Sequence, residues 1–221
     1  KGVRRGDTVV VERAGDVIPA VVAVVEDKRP RGARRFAMPD RCPSCGAGTT
    51  REGVFRYCPN VACPAQIRAR ILHLCQRRAL DIDRLGPKYV DQLMAAGLLR
   101  EPADIFTLDR RRQEITALPR WGEQSFANLA AQLERARRPG LAPFIYALGI
   151  RGVGATIAAD LARHFGSLER LAAAGEEELQ AIRGVGPEVS RSLLSFFALP
   201  ANREFLDRRA RAGVRPREEE A

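Results

Sequence analysis

The pattern apolar–x–x–apolar–Gly–x6–Leu recurs four times in this chain. The copies are Ile82, Leu85, Gly86 and Leu93; Leu118, Trp121, Gly122 and Leu129; Ile150, Val153, Gly154 and Leu161; and Ile182, Val185, Gly186 and Leu193. The central glycines stand 36, 32 and 32 residues apart, which is the spacing of a repeated structural unit. Each copy predicts a short helix, a glycine-bearing hairpin and a second helix, so the chain is expected to be mainly α with four helix-hairpin-helix repeats. The Leu seven residues after each glycine, with Val90, Phe126 and Ala158 on the same helical face, is expected to be core.

The third and fourth copies carry a second glycine, giving Gly152-Val153-Gly154 and Gly184-Val185-Gly186. Glycine ahead of a helix N-terminus lets bare backbone N–H groups approach a phosphate. The pattern therefore points to a partner with a phosphate backbone. In the first two copies Arg84 and Arg120 stand where Gly152 and Gly184 stand later. Arginine there loses a close-approach position but gains a charge, so those hairpins are either scaffold or contacts through the side chain.

The charge agrees with such a partner. The 221 residues carry a net charge of +10, which favours a polyanion. The excess is unevenly placed: residues 41–75 hold 5 basic and 1 acidic side chains, whereas residues 148–221 hold 11 of each. The last two hairpins thus sit in the least basic region, and backbone amides must supply much of any attraction there. Of the 37 basic residues 34 are Arg, which suits bidentate phosphate contact but is also what genome composition alone produces. No stretch reaches 18 apolar residues and no charged-then-apolar leader opens the chain, so a soluble intracellular protein is expected. The chain opens on Lys1 without Met and runs directly into a strand-like pattern, as a piece of something longer would.

A second site is written in cysteine. Cys42, Cys45, Cys58 and Cys63 form C-x2-C-x12-C-x4-C, two close pairs separated by a hairpin-length insert. That spacing suits tetrahedral zinc. Four sulfur ligands leave no open position for water, so the metal would be structural. Two disulfides are the alternative, disfavoured in a chain without a leader. Cys75 shares an apolar helix side with Ile67, Ile71, Leu72 and Leu74 and is expected in the core. His73 is expected not to be a ligand, and His164 to be a helix residue without chemistry.

The order of modules follows from local signals. Val9–Val11 and Val17–Val25 are β-branched runs around the turn residues Ala14-Gly15-Asp16. Two strands are too few for a core, so the rest of that domain is expected upstream. Residues 27–40 read as a basic connector, Pro64 as a helix start and Pro102–Asp109 as a capped helix. Residues 168–179 read as a helical link between the last two hairpins. The expected domains are 1–40, 41–66, 67–200 and a charged tail at 201–221, of which Arg208–Ala221 is expected to fray.

Arg13-Ala-Gly-Asp-Val-Ile-Pro19, the cysteine quartet, Arg78-Ala-Leu-Asp81-Ile-Asp83 and Phe144-Ile-Tyr-Ala-Leu-Gly-Ile-Arg151 occur in this order. Together they resemble the C-terminal half of a bacterial NAD-dependent DNA ligase, over essentially the whole chain. The resemblance implies the end of an OB-fold, a four-cysteine zinc finger and a helix-hairpin-helix domain of four hairpins. It implies a parent enzyme that seals nicks in duplex DNA with NAD and Mg2+, neither of which has its site here. None of Lys1, Lys28 or Lys88 begins the family's Lys-x-Asp-Gly motif, and no BRCT-like segment follows residue 221, so this chain alone is expected not to ligate.

What remains for it, on that resemblance, is to position DNA. Gly152, Gly154, Gly184 and Gly186, with Gly86 and Gly122, would grip phosphates, flanked by Lys88, Arg84, Arg120, Arg151 and Arg183. Arg13 and Asp16 would face DNA or the catalytic domain; a plain strand-turn role for Asp16 is the alternative. The expected partners are nicked double-stranded DNA and the upstream adenylation domain of the same protein, in a cytoplasmic, nucleoid-associated monomer with no membrane contact. The alternative is a non-enzymatic helix-hairpin-helix and zinc DNA-binding module of a repair or recombination protein. An RNA-binding zinc ribbon would need exposed aromatics, and only 6% of residues are aromatic.

Overall fold

The computed structural model describes residues 1–14 and 18–218, which divide into two compact units, Lys1–Asn60 and Val61–Ala221. The first unit is built on two antiparallel ribbons. Strands β1 (Val9–Ala14) and β2 (Ile18–Val24) pair from Val9↔Val24 to Ala14↔Ile18, with a bulge between Val10 and Val11. The β-branched runs favour this pairing, yet Val10, Val11, Ile18 and Val22 stay exposed, so the ribbon has no core of its own. Its base is held by Asp7, which is fully buried and accepts two hydrogen bonds from Arg29, at 2.9 and 3.0 Å. The second ribbon joins β3 (Thr50–Glu52) to β4 (Phe55–Tyr57) around Gly53.

The second unit is helical. Its elements are α1 (Pro64–Cys75), α2 (Pro87–Ala95), a 3-10 helix at Pro102–Arg110, α3 (Arg112–Thr116), α4 (Glu123–Arg135), α5 (Leu141–Ala147), α6 (Ala155–Phe165), α7 (Leu168–Ala173), α8 (Glu176–Gln180), α9 (Pro187–Ala198) and α10 (Pro200–Arg211). Local chemistry sets several ends. Pro opens α1, α2, α9 and α10, where a missing N–H costs nothing. Gly166 closes α6 in the left-handed region, and the Ser167 hydroxyl caps α7. Glu101 and Asp104 form a reciprocal capping box at the 3-10 helix. The link at 168–179 is two helices, because Ala174 turns to extended backbone ahead of Gly175.

Leu93, Leu129, Leu161 and Leu193 are all fully buried in one continuous apolar core with Val90, Phe126 and Ala158. Cys75 lies there too, its thiol pushed up to about 12 by burial. His73 is packed against Tyr146 and donates to that residue's carbonyl through Nε2 at 2.8 Å.

Among the described residues, which end at 218, the expectation of a fraying tail from Arg208 is corrected. Residues Pro200–Arg211 are helix, and Asn202, Phe205, Arg209, Ala212 and Val214 are buried. Phe205 packs on Phe106, Arg208 bridges Glu101 and Asp104, and Arg209 lies 5.1 Å over the Phe144 ring. The backbone then runs on beside residues 137–140, with Arg215 N–H donating to the Arg137 carbonyl and Arg217 N–H to that of Pro139.

Candidate nucleic-acid interface and metal centre

The four glycine motifs become four turn-to-helix junctions with one burial code. In each, the residue before the glycine is buried, as is the fourth after it; the third after it is half-buried. Two turn residues, the glycine and its two successors are exposed. The exposed sets are Asp83-Arg84 with Gly86-Pro87-Lys88, Pro119-Arg120 with Gly122-Glu123-Gln124, Arg151-Gly152 with Gly154-Ala155-Thr156, and Arg183-Gly184 with Gly186-Pro187-Glu188.

The turns share a backbone demand. Trp121 N–H donates to the Leu118 carbonyl, Val153 to Ile150 and Val185 to Ile182, at 3.0–3.1 Å, closing four-residue turns. The third turn residue is left-handed throughout: φ is 75° at Arg84, 66° at Arg120, and 83° at both Gly152 and Gly184. Such a turn wants glycine there, and Pro119 sits where proline suits it. Arg84 and Arg120 therefore occupy a strained position, whereas Arg151 and Arg183 precede a glycine that carries the strain-free conformation. Every turn thus displays one guanidinium at one of its two central residues.

The junction glycines are different. Gly86, Gly122, Gly154 and Gly186 cap their helices in extended backbone that any residue adopts, and a Cβ on any of them meets nothing within 4 Å. Neither conformation nor internal packing requires glycine there. What glycine does is keep the space before the first helical amides open, and no side-chain cap accepts from those amides, although at the second junction the Ser125 hydroxyl accepts from the Gly122 N–H at 3.2 Å. The N-terminal amides lack an i−4 carbonyl and carry the positive end of the helix dipole.

The junctions meet in pairs. A Cβ on Gly152 would touch Val189 in α9, and one on Gly184 would approach Ile157 in α6. Each of those partners lies three residues after a junction glycine. Similarly, Trp121 packs edge-on against Tyr89, also three after its glycine, and donates to Gln92, whose amide donates to the Pro119 carbonyl. The half-buried residue three after each glycine was readable as apolar in three copies, yet its pairing role escaped sequence reasoning because contact across repeats leaves no local signal.

Charge at the junctions is uneven. The first turns of α2 and α6 contain no acid, whereas α4 begins with Glu123 and α9 has Glu188. Arg112 binds Glu123, and Arg151 lies 3.9 Å from Glu188. Lys88 is exposed in the first turn of α2. Arg13 is exposed on β1, apart from these junctions in the chain, and Asp16 lies outside the described residues.

The four cysteines converge. Gly46, left-handed at φ 72°, turns the chain after Cys45, and the β3–β4 ribbon returns it to Cys58. The Cys42 N–H bonds the Ala47 carbonyl at 2.7 Å. Cys63 is the cap residue of α1. All four sulfurs lie within 4.8 Å of one another, with Cys45 and Cys58 at 3.5 Å. Sulfurs at the corners of a metal–thiolate tetrahedron stand on the order of 3.8 Å apart, given bonds of about 2.3 Å. Amide contacts from Ala47 and Asn60 lower the Cys45 thiol. At Cys58 the Asn60 amide pulls downward, but burial and the Cys45 and Cys42 thiols outweigh it and push the group up to about 12. Four thiolates cannot share this space without a cation, so the donor set fits a metal with four sulfur ligands.

Residues 1–33 match the model of the NAD-dependent DNA ligase OB-fold domain, and residues 143–206 that of the helix-hairpin-helix motif. The chain is similar to the DNA ligase of Alkalilimnicola ehrlichii, 49% identical over 217 residues, and to that of Methylococcus capsulatus, 50% identical over 217 residues. Each match covers 97% of the chain and 32% of the relative. Over this stretch the chain is thus similar to DNA ligases, and its first 33 residues to the OB-fold domain of the NAD-dependent ones. The DNA ligase of Geobacter sulfurreducens is 46% identical over 222 residues, 33% of its length. The chain spans about a third of the length of the curated relatives it matches. Among its described residues no helix is long and apolar enough to cross a membrane.

Proposed function

We propose that this chain is the DNA-gripping part of an enzyme that seals nicks in duplex DNA by NAD-dependent adenylyl transfer. The observation that carries this is the open glycine at all four junctions. Gly86, Gly122, Gly154 and Gly186 are required by nothing inside the protein, and their effect is to leave helix amides accessible beside a turn arginine. A phosphodiester oxygen is the natural acceptor for that combination. Contacts of this kind ignore base sequence, as nick sealing demands.

Arg84, Arg120, Arg151, Arg183 and Lys88 supply flanking charge, and the amides after Gly154 and Gly186 take phosphates directly. Paired junctions place two such grips side by side. Arg13 belongs to the surface turned to DNA or to the adenylation domain of the parent chain. Zinc, bound by Cys42, Cys45, Cys58 and Cys63, has a structural role: it closes the fold of residues 42–63. The chemistry of sealing resides with NAD and Mg2+ elsewhere in the parent, where alignment of a 3′-hydroxyl with a 5′-phosphate contributes several kcal/mol. The parent works in replication and repair as a cytoplasmic, nucleoid-associated monomer.

Fluorescence anisotropy with nicked, intact and single-stranded DNA across a salt series tests this. Salt-sensitive duplex binding, indifferent to base sequence and strongest at the nick, is expected. Absence of duplex binding at low salt refutes the grip.

A further inference from the structure

Arg209 lies in the last turn of α10, and Arg215 and Arg217 in the segment after it. Arg209, Arg215 and Arg217 line a cavity of about 380 Å³ together with Ser167, Glu169 and Glu218. Leu141, at the start of α5, lies on its wall, while the third junction follows the other end of that helix. Seven helical residues separate the two by roughly 10 Å.

The positive charge there is poorly compensated. Arg209 is 7% exposed; its Nη1 donates to the Val214 carbonyl at 3.0 Å, and its Nε is buried with no hydrogen-bond partner. Its nearest carboxylate, Glu169, stands off at 3.9 Å and is 78% exposed. Burial lowers the Arg209 guanidinium; Glu169 and Asp207 oppose this, and the nearby Arg215 adds to it. Arg215 and Arg217 are exposed side chains whose backbone is pinned by hydrogen bonds of 2.7 and 2.8 Å to the carbonyls of Arg137 and Pro139. Neither guanidinium has an ion-pair partner among the described residues. Three arginines against the carboxylates of Glu169 and Glu218 leave the cavity with an excess of positive charge, and the Arg209 Nε within it lacks an acceptor.

We propose that this cavity binds a phosphate group through Arg209, Arg215 and Arg217, at a place separate from the helix-junction amides. Arginine forks match the tetrahedral dianion, and the cavity accommodates it. The group arrives either as free phosphate or on a DNA backbone.

The test is thermal unfolding of the whole chain in inorganic phosphate at constant ionic strength, comparing wild type with the Arg215→Gln/Arg217→Gln variant. Both positions are exposed, so the variant keeps the fold. Wild type should gain about 2–4 °C well above the dissociation constant, and the variant should lose that gain. An Arg84→Gln variant should keep it, which separates this site from the junctions. A duplex-binding arm distinguishes the sources: several-fold weaker binding by the double variant assigns a DNA phosphate, and unchanged binding assigns free phosphate. No response in wild type, or an equal response in the double variant, overturns the site.

Discussion

Gly152 and Val189 meet so closely that a Cβ on the glycine would stand 3.0 Å from Val189 Cγ2, whereas the reciprocal pair, Gly184 and Ile157, leaves 3.8 Å. The two glycines share a φ of 83°, so they differ in contact alone. Gly152→Ala should therefore destabilise more than Gly184→Ala. The left-handed backbone costs about 1–2 kcal/mol in either case, and the crowding at Val189 adds to it only in the first. Urea unfolding checks the order, and adding Val189→Ala to Gly152→Ala should recover the difference. Equal losses in both single variants would show that contact at Val189 is irrelevant.

Arg84 and Arg120 hold the same turn position at φ 75° and 66°. Replacing either by glycine relieves left-handed strain but frees the unfolded chain, so stability should rise slightly, by less than about 1 kcal/mol. Duplex affinity should fall, with a shallower salt dependence, since one phosphate contact is lost. A variant that loses both stability and affinity would mark these arginines as structural.

Glu188 places a carboxylate in the first turn of α9 and 3.9 Å from Arg151. Both effects oppose a phosphate at the fourth junction. Glu188→Gln should strengthen duplex binding about two- to three-fold, in keeping with exposed charge pairs. It should also weaken α9 by about 0.3–1 kcal/mol, because an acid there complements the helix dipole. Anisotropy and thermal unfolding on the same sample measure the two opposite signs.

Cys58→Ser should abolish metal binding while leaving the helical unit folded, read by elemental analysis and circular dichroism; full metal content in that variant refutes the quartet. Metal-free, the Cys58 and Cys45 thiols pull in opposite senses. The Cys58 thiol is raised to about 12, so its own contribution to folding is complete below the ordinary thiol range near 8.5–9 and fades as pH climbs toward 12, whereas the lowered Cys45 thiol contributes above that range and loses its contribution as pH falls. Metal-bound, the cysteines are thiolates, protons compete with the ion, and stability is lost as pH falls. Melting curves of the two forms should converge on the acid side.

The helix junctions were readable because one periodic pattern fixes both the buried Leu93, Leu129, Leu161 and Leu193 and the exposed turn between them. The cysteine spacing likewise carries its own geometry. The α10 helix was hidden by its charge. Asn202, Phe205, Arg209 and Ala212 share a buried face at helical spacing, but two of the four are polar, and the Phe144 ring, the Arg70 guanidinium and the carbonyls of Phe196 and Val214 make that burial tolerable. Phe144 and Arg70 come from elements far from α10 in the chain. Arg84 and Arg120 looked ambiguous for a related reason: the strain they bear is a property of the turn, invisible in residue type.

The shared burial code separates what folds the helical unit from what it touches. At each junction the residues that carry the core alternate with five exposed ones, and of these the second residue after the glycine is free to drift without endangering the fold. The present set already shows the outcome, with lysine, glutamine, threonine and glutamate at the same place in the four copies. An ancestor with four identical units would diverge at these places first, and the strength of each contact could be adjusted one unit at a time.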